Sequence, residues 1–144
     1  MTPTTRNKIY DKMQQLDEYL KYLSKVNKEV GSEKQFLTEV YYFGTAERYL
    51  QLSIQVVIDT VQLVIVDNGL ERPEDNQDGI SLLFKQKIIS KRLAKELDGI
   101  VGFRNILVHE YGKIDRKKVY QYLQEKISSL SLFKSEILKY LKNV

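Results

Sequence analysis

Apolar residues recur at helical spacing through most of this chain. Between about residues 5 and 30 they fall at Ile9, Met13, Leu16, Leu20, Leu23, Val26 and Val30. That three-and-four spacing lays one apolar stripe along an α-helix. Gly31-Ser32 ends the run, and Ser32 followed by Gln35 is a capping-box pattern that starts the next helix. The second helix is predicted from about residue 33 to 68, with a bend near Gly44. Its centre, residues 54–66, is rich in Val and Ile, a strand-like composition. The polar positions decide for helix. Arg48, Gln51, Gln55, Asp59 and Gln62 draw one polar stripe at three-and-four spacing, whereas a half-buried strand alternates every second residue. A helix apolar on its remaining sides is a buried one. Its stripe must then meet a cleft, a partner or internal hydrogen-bond partners, because an unpaired buried polar group costs about 1–3 kcal/mol.

Asn68-Gly69 is a stop signal, and residues 71–79 read as a polar loop containing Pro73. Residues 80–89 predict a short helix carrying Leu82, Leu83 and Phe84. Ser90 can cap a further helix bearing Leu93, Leu97, Ile100, Val101, Leu107 and Val108, with Gly99 and Gly102 inside it. Interior glycines cost roughly 1 kcal/mol each relative to alanine, so a close approach by another helix, within the chain or from a second subunit, is expected there. Gly112 sits where a helix C′ residue belongs, and Asp115 where the next N-cap does. The last helix, about residues 116–141, repeats apolar residues at Val119, Leu123, Ile127, Leu130, Phe133, Ile137 and Leu141. The predicted architecture is all-α, an up-and-down bundle of four to five helices with mostly short connections.

At 144 residues, the chain is expected to be one domain, residues 1–144. Its 42% hydrophobic and 29% charged residues are a globular balance. The absence of cysteine excludes disulfides, thiolate metal sites and thiol nucleophiles, and fits a reducing compartment. The first residues lack the apolar core of a signal peptide. The longest apolar run, residues 54–66, is interrupted by Gln55, Asp59 and Gln62, short of the ~20 residues that cross a bilayer. A cytoplasmic protein without membrane attachment is the expectation.

The net charge of +4 is unevenly spread. Residues 79–95 hold Lys85, Lys87, Lys91, Arg92 and Lys95 and no acid, whereas residues 67–78 hold Asp67, Glu71, Glu74, Asp75 and Asp78 against Arg72 alone. The basic segment is either a solvated helix face or a surface that meets phosphates.

His109 is the only histidine, and the only side chain whose unperturbed pKa lies near neutrality. Arg104 precedes it by five positions, about 140° around a continuous helix. The two converge only if the helix ends between them or a second subunit supplies one of them. An arginine can grip a phosphate with two hydrogen bonds, and a histidine can exchange a proton with a nucleophile or leaving group. RNA carries its own nucleophile, the 2′-OH, so such a pair needs no metal, and no carboxylate cluster suited to one stands out. The same pair also fits a helix-end cap with no chemistry.

Arg104-Asn105-Ile106-Leu107-Val108-His109-Glu110-Tyr111 reads R-x4-H-x-Y, which resembles the signature of the HepT-like toxins within the HEPN superfamily. Glu47-Arg48-Tyr49-Leu50-Gln51, Ile54-Gln55 and Ile58-Asp59 resemble that family's long second helix, and residues 102–111 with Ile114-Asp115 resemble its core segment. The resemblance spans roughly residues 40–135. It implies a homodimeric HEPN-like helical bundle in which two R-x4-H motifs share one cleft. It also implies a metal-independent endoribonuclease in which Arg104 and His109 are catalytic and Asn105 supports them. Arg48, Gln55 and Asp59 are placed as residues lining or bracing that cleft, and Lys85, Lys87, Lys91 and Arg92 as guides for RNA. The implied partner is a minimal nucleotidyltransferase antitoxin that transfers AMP to Tyr111 and silences the nuclease. Relatives often carry a histidine four residues after the second-helix aspartate, where this chain has Leu63. The rival reading is a non-catalytic nucleotide- or substrate-binding subunit of a nucleotidyltransferase complex.

Overall fold

The computed structural model describes residues 1–109 and 114–144. Among them the chain forms seven helices: α1 (Pro3–Glu29), α2 (Glu33–Thr38), α3 (Val40–Asp67), α4 (Asn76–Lys85), α5 (Lys91–Glu96), α6 (Ile100–His109) and α7 (Arg116–Lys142). The three long helices carry most of the core. Lys12 meets Asp59, while Tyr22 packs on Tyr49, so α1 and α3 run antiparallel. Asp17 pairs with Lys134 and Asn27 bonds Gln124, so α1 is antiparallel to α7 as well. Arg116 lies over the Phe43 ring at the start of α3, while Asn68 donates to the Tyr140 hydroxyl at its end. Helices α3 and α7 are therefore parallel, and α4 to α6 carry the chain back along the ~40 Å length of α3.

The apolar stripes fall where the periodicity places them. Ile9, Met13, Leu16, Leu20, Leu23 and Val26 of α1 are buried, as are Val119, Leu123, Leu130, Phe133, Ile137 and Leu141 of α7. Ser32 and Asp115 cap α2 and α7 as expected, accepting from the Gln35 amide and from the Lys117 and Lys118 amides. By length and composition α3 could cross a membrane, although it holds no long uninterrupted apolar run. Its apolar faces are instead occupied by α1, α2, α4, α6 and α7, the position of a core helix.

The boundaries differ from the sequence expectation in three places. The predicted long second helix breaks at Glu39, not near Gly44. Glu39 adopts an extended conformation (φ −100°, ψ 115°) while its amide still closes the last turn of α2 on the Gln35 carbonyl. The loop before α4 is shorter than expected, because Asp75 caps the helix by accepting from the Asp78 amide at 2.8 Å. The helix expected from Ser90 through Val108 is two helices. Gly99 takes φ +75°, a left-handed conformation that ends one run and redirects the next. Among the described residues a Cβ at Gly99 or Gly102 would meet no atom within 4 Å, so none of the described elements approaches there. The close approach occurs at Gly79 instead, where a Cβ would stand 3.2 Å from the Val61 side chain, and α4 packs tightly on α3.

Candidate active site

Helix α6 owes its position to three anchors. Ile100, Val101 and Phe103 are buried. The Phe103 ring stacks on Tyr122 of α7, with centroids 3.7 Å apart. The backbone groups released by the Gly99 break are held by one side chain: Gln77 of α4 donates to the Leu97 carbonyl at 3.1 Å and accepts from the Val101 amide at 3.2 Å. Gln77 thus sets the angle at which α6 leaves the break. Sequence inspection missed it, because a contact across twenty residues leaves no periodic signal.

Helix α6 continues unbroken to His109, so Arg104 and His109 stay on different sides of one helix. Gly102, Asn105 and His109 form its exposed face, at three- and four-residue spacing. Arg104 is half-buried, and its buried Nε–H has no hydrogen-bond partner among the described residues. A guanidinium can grip a phosphate and an exposed imidazole can exchange a proton, but α6 holds the two on different sides of one chain. Tyr111 and Gly112 lie outside the described residues.

The polar stripe of α3 divides. Arg48 and Gln62 are exposed, while Gln55 and Asp59 are half-buried. Gln55 donates to one Asp59 oxygen at 2.8 Å, and Lys12 of α1 stands 3.4 Å from the other. This network faces a groove of about 510 Å³ between α1 and α3, lined by Lys8, Asp11, Lys12, Asp59, Leu63 and Val66 among others. No residue of α6 lines it. Lys12 had no signal in the sequence, since its role depends on the antiparallel register of two helices.

The basic segment also divides. Lys85, Lys87, Lys91 and Arg92 are all exposed. Arg92 leans toward Glu96 at 3.7 Å within α5, whereas Lys87 and Lys91 share a second cavity with Lys139 of α7. Among the described residues no group of His, Asp and Glu side chains is arranged to hold a metal ion.

The described residues form an all-helical bundle, and the Arg-x4-His pair lies on a short, separately anchored helix. Residues 13–137 match the family model described as ribonuclease HepT-like, and the chain belongs to that family. It is 29% identical over 133 residues to a tRNA nuclease HepT of Aphanizomenon flos-aquae, covering 92% of this chain and 89% of the relative. It is 23% identical to an mRNA nuclease HepT of Shewanella oneidensis, covering 77% and 84% of the two chains. In fold it is similar to the tri-AMPylated HEPN toxin of Shewanella oneidensis solved with its MNT antitoxin. The TM-score is 0.81 at 22% identity, over 96% of this chain and 99% of that one.

Proposed function

We propose that this protein is a metal-independent endoribonuclease, the toxin of a toxin–antitoxin pair. The observation that carries the reading is the intact Arg104-x4-His109 pair, set on α6 inside the region matched to a ribonuclease family. His109 takes the proton from a ribose 2′-OH, and the 2′-oxygen attacks the adjacent phosphorus. The P–O5′ bond breaks, and the departing 5′-oxygen gains a proton from a histidine acting as acid. Arg104 stabilises the charge that builds on the phosphate oxygens. The products are a 2′,3′-cyclic phosphate and a 5′-hydroxyl.

One chain does not converge its own Arg104 and His109, and a homodimer resolves this. The exposed α6 face offers Gly102, where none of the described residues fills the space beside the backbone. A second copy can approach there and place two histidines at one cleft, one as base and one as acid. Asn105 lies on that face and supports the phosphate. Lys85, Lys87, Lys91 and Arg92 draw RNA toward the protein.

The partner is a nucleotidyltransferase antitoxin acting in the cytoplasm. It transfers AMP from ATP to the Tyr111 phenol, releasing pyrophosphate. The added phosphate, two residues from His109, repels the RNA backbone and closes the cleft. The test is incubation of labelled RNA with the purified protein in EDTA. Cleavage with cyclic-phosphate ends, lost in His109→Ala and lost when Tyr111 gains the mass of AMP, is the expected result. RNA or nucleotide binding without any cleavage would overturn the reading in favour of a binding subunit.

A further inference from the structure

Two helices of this chain end in the same way with different residues. After α3 the Leu70 amide reaches back to the Ile65 carbonyl at 3.1 Å, and the Gly69 amide reaches Val66. After α4 the Ile88 amide reaches the Leu83 carbonyl at 2.9 Å, and the Lys87 amide reaches Phe84. Both are Schellman closures, whose C′ residue is left-handed and usually glycine. Gly69 occupies that position at φ 63°, and Lys87 occupies its counterpart at φ 59°. Lys87 is the only described non-glycine residue with positive φ. A strained backbone that glycine would relieve points to a use for the side chain.

Lys87 lines a cavity of about 630 Å³ between the α4–α5 connection and the end of α7, together with Phe84, Lys91, Glu136, Lys139 and Tyr140. The carboxylate in its wall is already engaged: Glu136 accepts from the Ser90 amide and the Ser90 hydroxyl, each at 2.6 Å. None of the three lysines has an ion-pair partner among the described residues. Phe84 is 38% exposed at the rim. The cavity thus combines three lysines without ion-pair partners among the described residues, one carboxylate already hydrogen-bonded to Ser90, and two aromatic rings. An excess of cations beside aromatic rings is the pairing that holds single-stranded nucleic acid by phosphate contact and base stacking.

Resting on the ribonuclease reading, we infer that this cavity is a second RNA-binding subsite. It takes a phosphate of a single-stranded segment between Lys87, Lys91 and Lys139, with a base against Phe84 or Tyr140. Glu136 lies twenty residues along α7 from Arg116, roughly 30 Å. Phe103 stacks on Tyr122 near that start, and α6 carries on from Phe103 to His109. The subsite therefore engages only RNA long enough to span several nucleotides beyond the cleavage point, and selects for length.

The test compares a 20-nucleotide RNA with a 5-nucleotide RNA as substrates for Phe84→Ala, Lys139→Ala and Lys87→Gly. Glycine suits the backbone at position 87, so that variant should melt no lower than wild type while losing one cation. The expected result is a rise of five-fold or more in the ratio of KM for the long RNA to KM for the short one. The salt dependence of long-RNA binding should become shallower by about 0.7 in log–log slope per lysine removed. An unchanged ratio in all three variants overturns the subsite. So does an unchanged ratio together with lost binding to the nucleotidyltransferase, which would make the cavity a protein-docking site. Should wild type cut neither RNA, the ribonuclease reading fails separately. Anisotropy of the labelled 20-mer with the same variants then decides the subsite: five-fold weaker binding supports it, and equal binding overturns it.

Discussion

Asp59 and His109 are both polar groups on largely apolar helices, and the fold treats them in opposite ways. Asp59 is half-buried, bonded by Gln55 from its own helix and faced by Lys12 from α1. His109 is exposed at the end of α6, on a different side of the helix from Arg104, and its side chain makes no hydrogen bond among the described residues. A polar group whose bonds are all made is committed to structure, because any substrate must displace those bonds. One whose bonds are unmade is available to a ligand. Within one chain no residue of α6 lines the groove that the Asp59 network faces.

The largest effect that sharpens this contrast is on rate. His109→Ala should lower RNA cleavage by about 10²–10⁴-fold, the usual contribution of a positioned acid or base. Because the side chain is exposed, its unfolding midpoint in urea should match wild type. Equal cleavage by the variant sinks the catalytic assignment, and an equal loss of stability would return His109 to a structural cap.

Arg104→Lys comes next. Lysine keeps the charge but loses the planar fork. A fall of roughly 10²–10³-fold in kcat is expected if that fork meets the transition state. Stability should hold or rise slightly, since a buried N–H with no partner among the described residues disappears. A change confined to KM would instead mean that Arg104 only binds RNA.

The other side of the comparison is broken through Asp59. Asp59→Asn removes the charge facing Lys12 and should cost about 1 kcal/mol of stability, read from urea unfolding. Its effect on kcat should stay well below that of either α6 variant. A rate loss as large as that of Arg104→Lys would show that the α1–α3 network reaches the cleft after all.

The sequence made some of these features legible and hid others, for reasons that particular residues show. The stripes of α1, α3 and α7 repeat every three or four residues, so each helix announces its own buried face. Ser32 and Asp115 announce their caps within one turn. The break at Gly99 was hidden because glycine inside an apolar run signals either a left-handed turn or a close approach. The side chain that holds the turn, Gln77, lies more than twenty residues away. Lys87 was legible as a charge but not as a strained helix terminus. Its φ follows from the Leu83–Ile88 closure, which no residue type there advertises. The R-x4-H motif named its residues, whereas their failure to converge on one helix required knowing that α6 runs unbroken to His109.

Glu47 tests the middle of the contrast, with the smallest effect. It is half-buried on α3, and no hydrogen-bond partner for it is found among the described residues. Desolvation raises its pKa above the ordinary glutamate value, and the Arg116 charge only partly opposes this. A carboxyl whose folded pKa lies above its unfolded one binds its proton more tightly when folded. Its stabilising contribution is therefore full below the unfolded pKa and is lost as pH rises through the folded one. At neutral pH the ionised Glu47 costs stability, so Glu47→Gln should be the more stable protein, by under about 1 kcal/mol. The advantage should vanish as pH falls below the ordinary glutamate range. Urea midpoints at pH 4 and pH 7 measure it, with the difference between variant and wild type larger at pH 7. An advantage equal at both pH values would assign the gain to packing, and a loss at pH 7 would mean that Arg116 holds Glu47 as firmly as Lys12 and Gln55 hold Asp59.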